Sequence, residues 1–294
     1  MKSDRFWGYV FLSPWIFGFL ALTLGPMVAS LVFSFTKYDI INTPVFVGWD
    51  NYLQIFTQDP KFWNALAVTF LFSFVAVPLT LALGFLLAYF LNLKIPGARA
   101  FRTIYYMPSV LSGVVIAILF RGLFDEKYGI LNGALALVGI RGPDWLTNPQ
   151  FALAALVIIA LWGVGGGIII YLAGLQGIPT SLYEAADLDG AGRRSQFFRI
   201  TLPMMSPVIF FNLVMGIISA FQYFTEAWVL TRGGPAEATQ FYNIYLYKTA
   251  FSYMNMGYAS ALAWVLFFLI LILTLLVFRS SAMWVYYEGE MGKK

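Results

Sequence analysis

The chain has 294 residues and a net charge of +4, and is 60% hydrophobic with only 11% charged residues, against about 25% charged in a typical soluble domain. It has no cysteine and no histidine. That excludes a disulfide framework, a thiolate metal site, a Ser-His triad, an HExxH zinc site and an imidazole proton relay. Six stretches, 6–36, 62–93, 103–120, 145–183, 200–225 and 249–278, lack Asp, Glu, Lys and Arg altogether. A helix crossing the hydrocarbon core needs about 20 mostly apolar residues. The pattern therefore predicts an all-α polytopic membrane protein with six transmembrane helices and excludes a soluble fold.

In chain order, spans are expected near 8–35, 66–91, 103–124, 151–174, 205–229 and 258–279, within one transmembrane domain over 1–294. Lys2 and Arg5 precede the first apolar run. That run is too long for a signal-peptide core and shows no small-x-small cleavage pattern, so it reads as a retained span. Pro14, Pro26, Pro78 and Pro108 fall inside spans, where proline is expected to kink the helix. The turn at 92–102 is short and basic. Connections near 36–65, 125–150 and 230–257 carry aromatic and turn residues such as Trp49-Asp50-Asn51 and Gly142-Pro143-Asp144-Trp145. These suit either an interfacial aromatic belt or a docking surface. With the N-terminus inside, eleven Lys and Arg fall on the inner side, Lys94, Arg99, Arg102, Arg193, Lys293 and Lys294 among them, and seven on the outer. The positive-inside rule then places both termini in the cytoplasm.

The connection at 175–204 is the most informative segment. Pro179 ends what precedes it, and Ser181 with Glu184 three residues on forms a capping box. Leu182 to Asp189 is expected to make about two helical turns, and Gly190 suits a left-handed C-terminal cap. Arg193 to Ile200 resumes as a basic helix, which Leu202-Pro203 is expected to break before the fifth span. Ala185 and Ala186 leave little side chain in the way of an approaching partner. Asp187 and Asp189 offer acceptors to a basic one. Three acids argue against resting on an anionic inner leaflet, which attracts basic segments.

Glu184-Ala185-Ala186, Gly190 and Ile200-Thr201-Leu202-Pro203 match, at every fixed position and spacing, the EAA motif of importer-type ABC permeases, which the chain resembles. Phe46-Val47-Gly48-Trp49-Asp50-Asn51-Tyr52 is similar to the F-x-G-x-x-N-Y segment of carbohydrate-uptake permeases. Gly165-Gly166-Gly167, Tyr171 to Pro179, Gly233-Gly234-Pro235 and Trp284-Val285-Tyr286-Tyr287 extend the likeness over most of the chain. The first permease subunit of maltose- or glycerol-phosphate-type systems is the nearest pattern. Two residues depart from it: Arg232 stands where Gly is frequent, and Glu226 where Asp is common. The resemblance implies a bacterial or archaeal plasma-membrane permease paired with a second permease subunit and with two ATPase subunits that hold ATP and Mg. It also implies an extracytoplasmic binding protein that delivers a sugar-like substrate. Glu184, Ala185, Ala186, Asp187 and Gly190 would form the ATPase-coupling helix. The chain itself has no G-x-x-x-x-G-K-[ST] loop; its one Gly-Lys pair is Gly292-Lys293. No cofactor, metal, catalytic residue or nucleic-acid partner is expected on it.

The fifth span carries a polar stripe. At about 100° per residue, Asn212, Ser219, Gln222, Tyr223 and Glu226 share an arc of about 120°, and a polar face in a span turns to the bundle interior or a water-filled cavity. These five residues are the expected substrate pathway, with Glu226 as a hydroxyl acceptor; equally open is Glu226 at the outer interface, paired with Arg232 or water. Trp162 and Tyr171 either line the same path or simply pack. Gly163 and Gly165 to Gly167 serve close helix packing or a local break. The alternative functions are an ion-coupled secondary transporter, which predicts buried charge relays and often a repeat, and an intramembrane enzyme, which needs catalytic groups this chain lacks. Either would work without an ATPase.

Overall fold

A computed structural model describes residues 2–93 and 97–286; of Lys2 to Phe6, Gly8 and Arg99 only the backbone is described. Lys94, Tyr287, Gly292, Lys293 and Lys294 lie outside the described residues. Among the described residues, four helical segments are long and apolar enough to cross a membrane: Tyr9–Ser34, Pro60–Asn92, Ser206–Leu230 and Met256–Ser281. Two bent pairs bring the number to as many as six.

The chain divides into two compact units, 1–62 with 245–269, and 63–244 with 270–294. In the first, α1 (Lys2–Phe19) and α2 (Gly25–Ser34) are joined by a π turn, Leu20–Leu24. Pro26 stands in the first turn of α2, where its missing N–H is not needed. A two-stranded antiparallel pair follows, β1 (Thr36–Lys37) and β2 (Val45–Phe46), and then α3 (Asp50–Thr57). The F-x-G-x-x-N-Y segment does the joining. Gly48 takes φ +63°. Buried Asn51 donates to the carbonyls of Ser34 and Thr36 at 2.8 and 2.9 Å, and the Tyr52 and Ser34 hydroxyls bond at 2.8 Å. Between the strands, the backbone N–H and side-chain amide of Asn42 hold the Asp39 carboxyl below its ordinary range.

Helix α4 (Pro60–Asn92) starts six residues before the expected 66. Asp59 accepts from the N–H groups of Lys61 and Phe62 at 3.0 and 3.1 Å, and Pro60 is preset for the first turn. The other carboxylate oxygen accepts from the Tyr245 and Tyr258 hydroxyls at 2.5 and 2.7 Å. Burial and this carboxylate push the Tyr245 phenol above its ordinary value. Lys61 interrupts the apolar pattern, which is why hydropathy alone misplaces the start. In the membrane-spanning part of α4, the hydroxyls of Thr69, Ser73 and Thr80 donate back to carbonyls four residues earlier. These polar groups are thereby satisfied without water, and the helix continues through Pro78.

The expected straight span at 103–124 is not observed. α5 (Ala98–Val110) and α6 (Gly113–Leu123) are bent by 104°. Leu111 is extended, and Ser112 caps α6 by accepting from Val115 N–H. Within α7 (Ile130–Leu137), buried Asn132 ties down the loops on either side, donating to the Glu126 and Pro143 carbonyls and accepting from Trp145. The fourth span is likewise two pieces, α8 (Pro149–Trp162) and α9 (Gly165–Gln176), bent by 43° at Gly163-Val164. Gly165 is required there, because a Cβ would collide with the Tyr105 carbonyl of α5.

The remaining helices are α10 (Thr180–Leu188), α11 (Arg193–Gln196), α12 (Leu202–Met204), α13 (Ser206–Phe221), α14 (Thr225–Leu230), α15 (Tyr242–Tyr247) and α16 (Met256–Ser281). Two apolar clusters organise the second unit. One gathers Phe72, Val77, Phe120, Leu156, Ile159, Phe241 and Ile244; the other gathers Phe85, Ile168, Tyr171, Leu172, Leu175 and Met205. At about 25 cal/mol per Å² of apolar area removed from water, such clusters would hold a soluble fold. Inside lipid, close packing and satisfied backbone groups take over that role.

Candidate functional site

The 175–204 connection folds into a short exposed helix on a polar base. α10 begins at Thr180 with Pro179 as its N-cap and no side-chain cap bond. The capping box expected at Ser181 and Glu184 therefore does not form. Pro179, at φ −58° and ψ 127°, turns the chain into the helix two residues early, so Ser181 already sits in the first turn. The C-terminus follows expectation in detail. Gly190 takes φ +74°, its N–H bonds the Asp187 carbonyl at 3.1 Å, and Ala191 N–H bonds the Ala186 carbonyl at 2.9 Å. This is a Schellman closure, and it satisfies carbonyls the helix end leaves free.

Glu184 and Ala185 are exposed, and Ala186 is half-buried. Asp187 accepts from the Gln196 side chain at 2.5 Å, so one of the two expected acceptors already has a partner in its own chain. Leu188 is 90% exposed. It shares a face with Glu184 and Ala185 by helical spacing, and sequence reading did not single it out. An isolated exposed leucine means little; beside the small Ala185 at the tip of a capped helix, it completes a shallow apolar surface edged by Glu184. Leu202-Pro203 does not itself end the helix; the expected break before the fifth span falls two residues on, at Met205, between α12 and α13. A π turn, Phe197–Thr201, precedes it, and Leu202 N–H bonds the Phe197 carbonyl five residues back. Pro203 then falls in the first turn of α12, where a proline needs no partner for its nitrogen.

The fifth-span stripe is corrected by a break. α13 ends at Phe221, Gln222 to Phe224 leave the helical conformation, and α14 resumes at Thr225. The wheel that aligned five residues holds only for Asn212 to Ser219. Those two share a cavity of about 260 Å³ with Thr80, Gly163, Gly167, Tyr171, Met215 and Gly216. Asn212 donates its Nδ2 to the Val208 carbonyl at 2.9 Å, and its Oδ1 faces Gly167, where a Cβ would lie 3.5 Å away. Tyr171 is 1% exposed, and its hydroxyl is buried with no hydrogen-bond partner among the described residues. Gly84 gives the tyrosine its room, since a Cβ there would stand 2.9 Å from Val164 and 3.3 Å from the Tyr171 ring.

The other stripe residues go elsewhere. Gln222 is exposed. The Tyr223 ring stacks on Phe72 at 4.7 Å and meets Phe241 edge-on at 5.2 Å, inside the apolar cluster. Glu226 lies against the start of α6, where a Cβ on Gly113 would stand 2.6 Å from its Oε1. The positive end of a helix suits a carboxylate. Arg121, near the other end of α6, donates to the Val229 carbonyl at 2.5 Å. Trp162 packs edge-on against Phe120 at 5.4 Å, apart from the cavity lining. Among the described residues no group of three acidic side chains could hold a metal ion. Thr80 and Gly84 escaped sequence reading because each reads locally as an ordinary span residue, and the buried hydroxyls of Tyr171 and Tyr223, unpaired among the described residues, are visible only in three dimensions.

A chain that combines these spans, this exposed capped helix and a small polar cavity between helices has the layout of a transport subunit. The family model for the binding-protein-dependent transport system inner membrane component matches residues 80–286. "Probable ABC transporter permease protein YesP" of Bacillus subtilis (strain 168) is 44% identical over 294 residues, covering 99% of this chain and 95% of that protein. "Arabinooligosaccharides transport system permease protein AraP" of the same organism is 34% identical, covering 96% and 90%. A chain in the crystal structure of a bacterial alginate ABC transporter, in complex with its alginate pentasaccharide-bound periplasmic protein, superposes with a TM-score of 0.84 at 26% identity, covering 95% of each chain. Motif, fold and full-length similarity agree, and the chain belongs to the family of inner-membrane permease components of binding-protein-dependent ABC transport systems.

Proposed function

We propose that this permease carries a carbohydrate or carbohydrate-like solute into the cytoplasm by alternating access, as a subunit of an ATP-driven, binding-protein-dependent importer. The relatives named for arabinooligosaccharides and alginate support that solute class. An even count of six spans, taking each bent pair as one, would leave both termini on one side, and the excess of Lys and Arg there supports the cytoplasmic side for them and for α10. A second permease subunit completes the path, two ATPase subunits hold ATP and magnesium, and an extracytoplasmic binding protein delivers the solute. The chain supplies no catalytic residue.

The observation that carries this reading is the tip of α10, with Glu184, Ala185 and Leu188 presented on a helix closed by Gly190. In this reading Glu184, Ala185, Ala186, Asp187 and Gly190 form the coupling helix that enters an ATPase cleft. Asn212 and Ser219, with Tyr171, contact solute hydroxyls in the cavity. A buried unpaired hydroxyl is costly, and a passing polyhydroxylated solute offers it a transient partner. Gln222, Tyr223 and Glu226 act outside that cavity, where they shape the outer end of the path. The secondary-transporter reading loses its main support, since the one acid near the span interior rests against a helix start.

The chain has no cysteine, so an Ala185→Cys variant gives a single labelled site. Cross-linking it in native membranes should yield one adduct with an ATPase subunit, and a gentle-detergent pull-down should recover the ATPase, a second permease and the binding protein. Recovery of this chain alone, with no adduct, would sink the proposal.

A further inference from the structure

Two side-chain bonds tie α10 to the segment that leads into α13. The Tyr183 and Thr201 hydroxyls are 2.9 Å apart. Thr201 is 3% exposed, and its hydroxyl also lies 3.5 Å from the Gln196 carbonyl; either hydroxyl can donate in the bond with Tyr183. One helical turn further along α10, Asp187 accepts from Gln196 Nε2 at 2.5 Å, and the same nitrogen reaches the Ala191 carbonyl at 3.1 Å. Tyr183 and Asp187 are four residues apart and therefore share a face. Gln196 and Thr201 are five apart, which on an α-helix would turn them about 140° away from each other. The π turn at Phe197–Thr201 removes that offset, because its i→i+5 pattern sets residues five apart nearly above one another. The widened turn thus presents two partners to one face of α10.

We infer that Tyr183–Thr201 and Asp187–Gln196 form a two-point strut that makes α10 and the base of α13 move together, so that displacement of α10 reaches Asn212 and Ser219 at the cavity. Tyr183 and Thr201 are positioning residues in this scheme: neither contacts solute or nucleotide. A cavity of about 850 Å³ lies alongside, lined by Tyr89, Asn92, Gln176, Tyr183, Gln196 and Thr201. Among the described residues, these are the side-chain hydrogen bonds that join α10 to the helix-lead segment beside it. Without them, α10 has room to tilt into the cavity while α13 stays still. The inference rests on the coupling-helix reading of α10.

The test uses the complete importer, reconstituted with its ATPase and permease partners and binding protein, and reads solute transported per ATP hydrolysed. Tyr183→Phe and Thr201→Val each remove one hydroxyl at nearly constant shape. Each is expected to lower that ratio about fivefold, with ATP hydrolysis changed less than twofold, and Thr201→Ser is expected to restore it. The double variant should fall no further than either single one, because both remove the same bond. An unchanged ratio in Tyr183→Phe, a valine variant that equals the serine variant, or additive losses in the double variant would each overturn the strut. Failure of the underlying reading looks different. There the Ala185→Cys adduct with the ATPase is missing in the parent chain, whereas a failed strut leaves that adduct in place.

Discussion

The 179–204 segment and the cavity beside α13 are built on opposite principles. The first is contiguous, and its form is set by local chemistry: Pro179 for entry, two alanines for helix, Gly190 for closure. The second takes residues from α4, α8, α9 and α13, which are remote in sequence. Its shape depends on what is missing, namely the side chains that Gly84, Gly167 and Gly216 do not have. A local device tolerates change around it and fails at its own key residue. An assembled one fails when any wall moves.

That contrast predicts a ranking of effects. The largest is expected from Gly165→Val at the α5–α9 contact, where the obstacle is a backbone carbonyl and nothing nearby can give way. A loss of about 3 kcal/mol, or roughly 10 °C in detergent melting, should accompany poor assembly, while a peptide of the 179–204 segment should be indifferent to it. Next comes Ala185→Trp, expected to abolish co-purification of ATPase subunits while leaving the melting temperature of the isolated chain within about 2 °C, as for an exposed site. If both variants damage melting alike, the two regions are not independent.

Smaller and more discriminating is Tyr171→Phe. Removing an unpaired buried hydroxyl should leave stability unchanged or raise it by about 1 kcal/mol. Uptake by the assembled importer should nevertheless fall about tenfold, the loss of one solute hydrogen bond. Lost stability with normal uptake would make the tyrosine a packing residue. Smallest is Gly190→Ala, which places a side chain at φ +74°. It should cost about 1 kcal/mol in the local stability of α10, read as faster amide exchange at Asp189 to Ala191, with uptake reduced less than threefold.

Legibility followed the same division. The EAA spacing, the Gly190 cap and the apolar spans stand in adjacent letters, so sequence alone located them. Asp59-Pro60 was also legible as a helix start, but a neighbouring lysine hid it from hydropathy. The break at Gln222 to Phe224 was not legible. Gln, Tyr and Phe carry no stop signal, and the ring of Tyr223 is drawn into the Phe72–Phe241 cluster by partners about 150 residues before it and 18 after. The wheel set Glu226 on the same face as Asn212 for the same reason, since it assumed an uninterrupted helix. The bend between α5 and α6 had a partial signal in Pro108 and Ser112-Gly113, which reads as a kink without saying how far the chain turns.

Each proline that follows a π turn, Pro26 after Leu20–Leu24 and Pro203 after Phe197–Thr201, stands two residues beyond an inserted position. Such an insertion acts as a phase shifter. Everything downstream is rotated by about 100° relative to an uninterrupted helix, so the facing of α13 is set by the chain just before it. Deleting a single residue between 197 and 201 should leave the span as apolar and as long as before, and would turn Asn212 and Ser219 out of the cavity they now line. In this permease the count of residues ahead of a membrane helix shapes the cavity as much as the residues that line it.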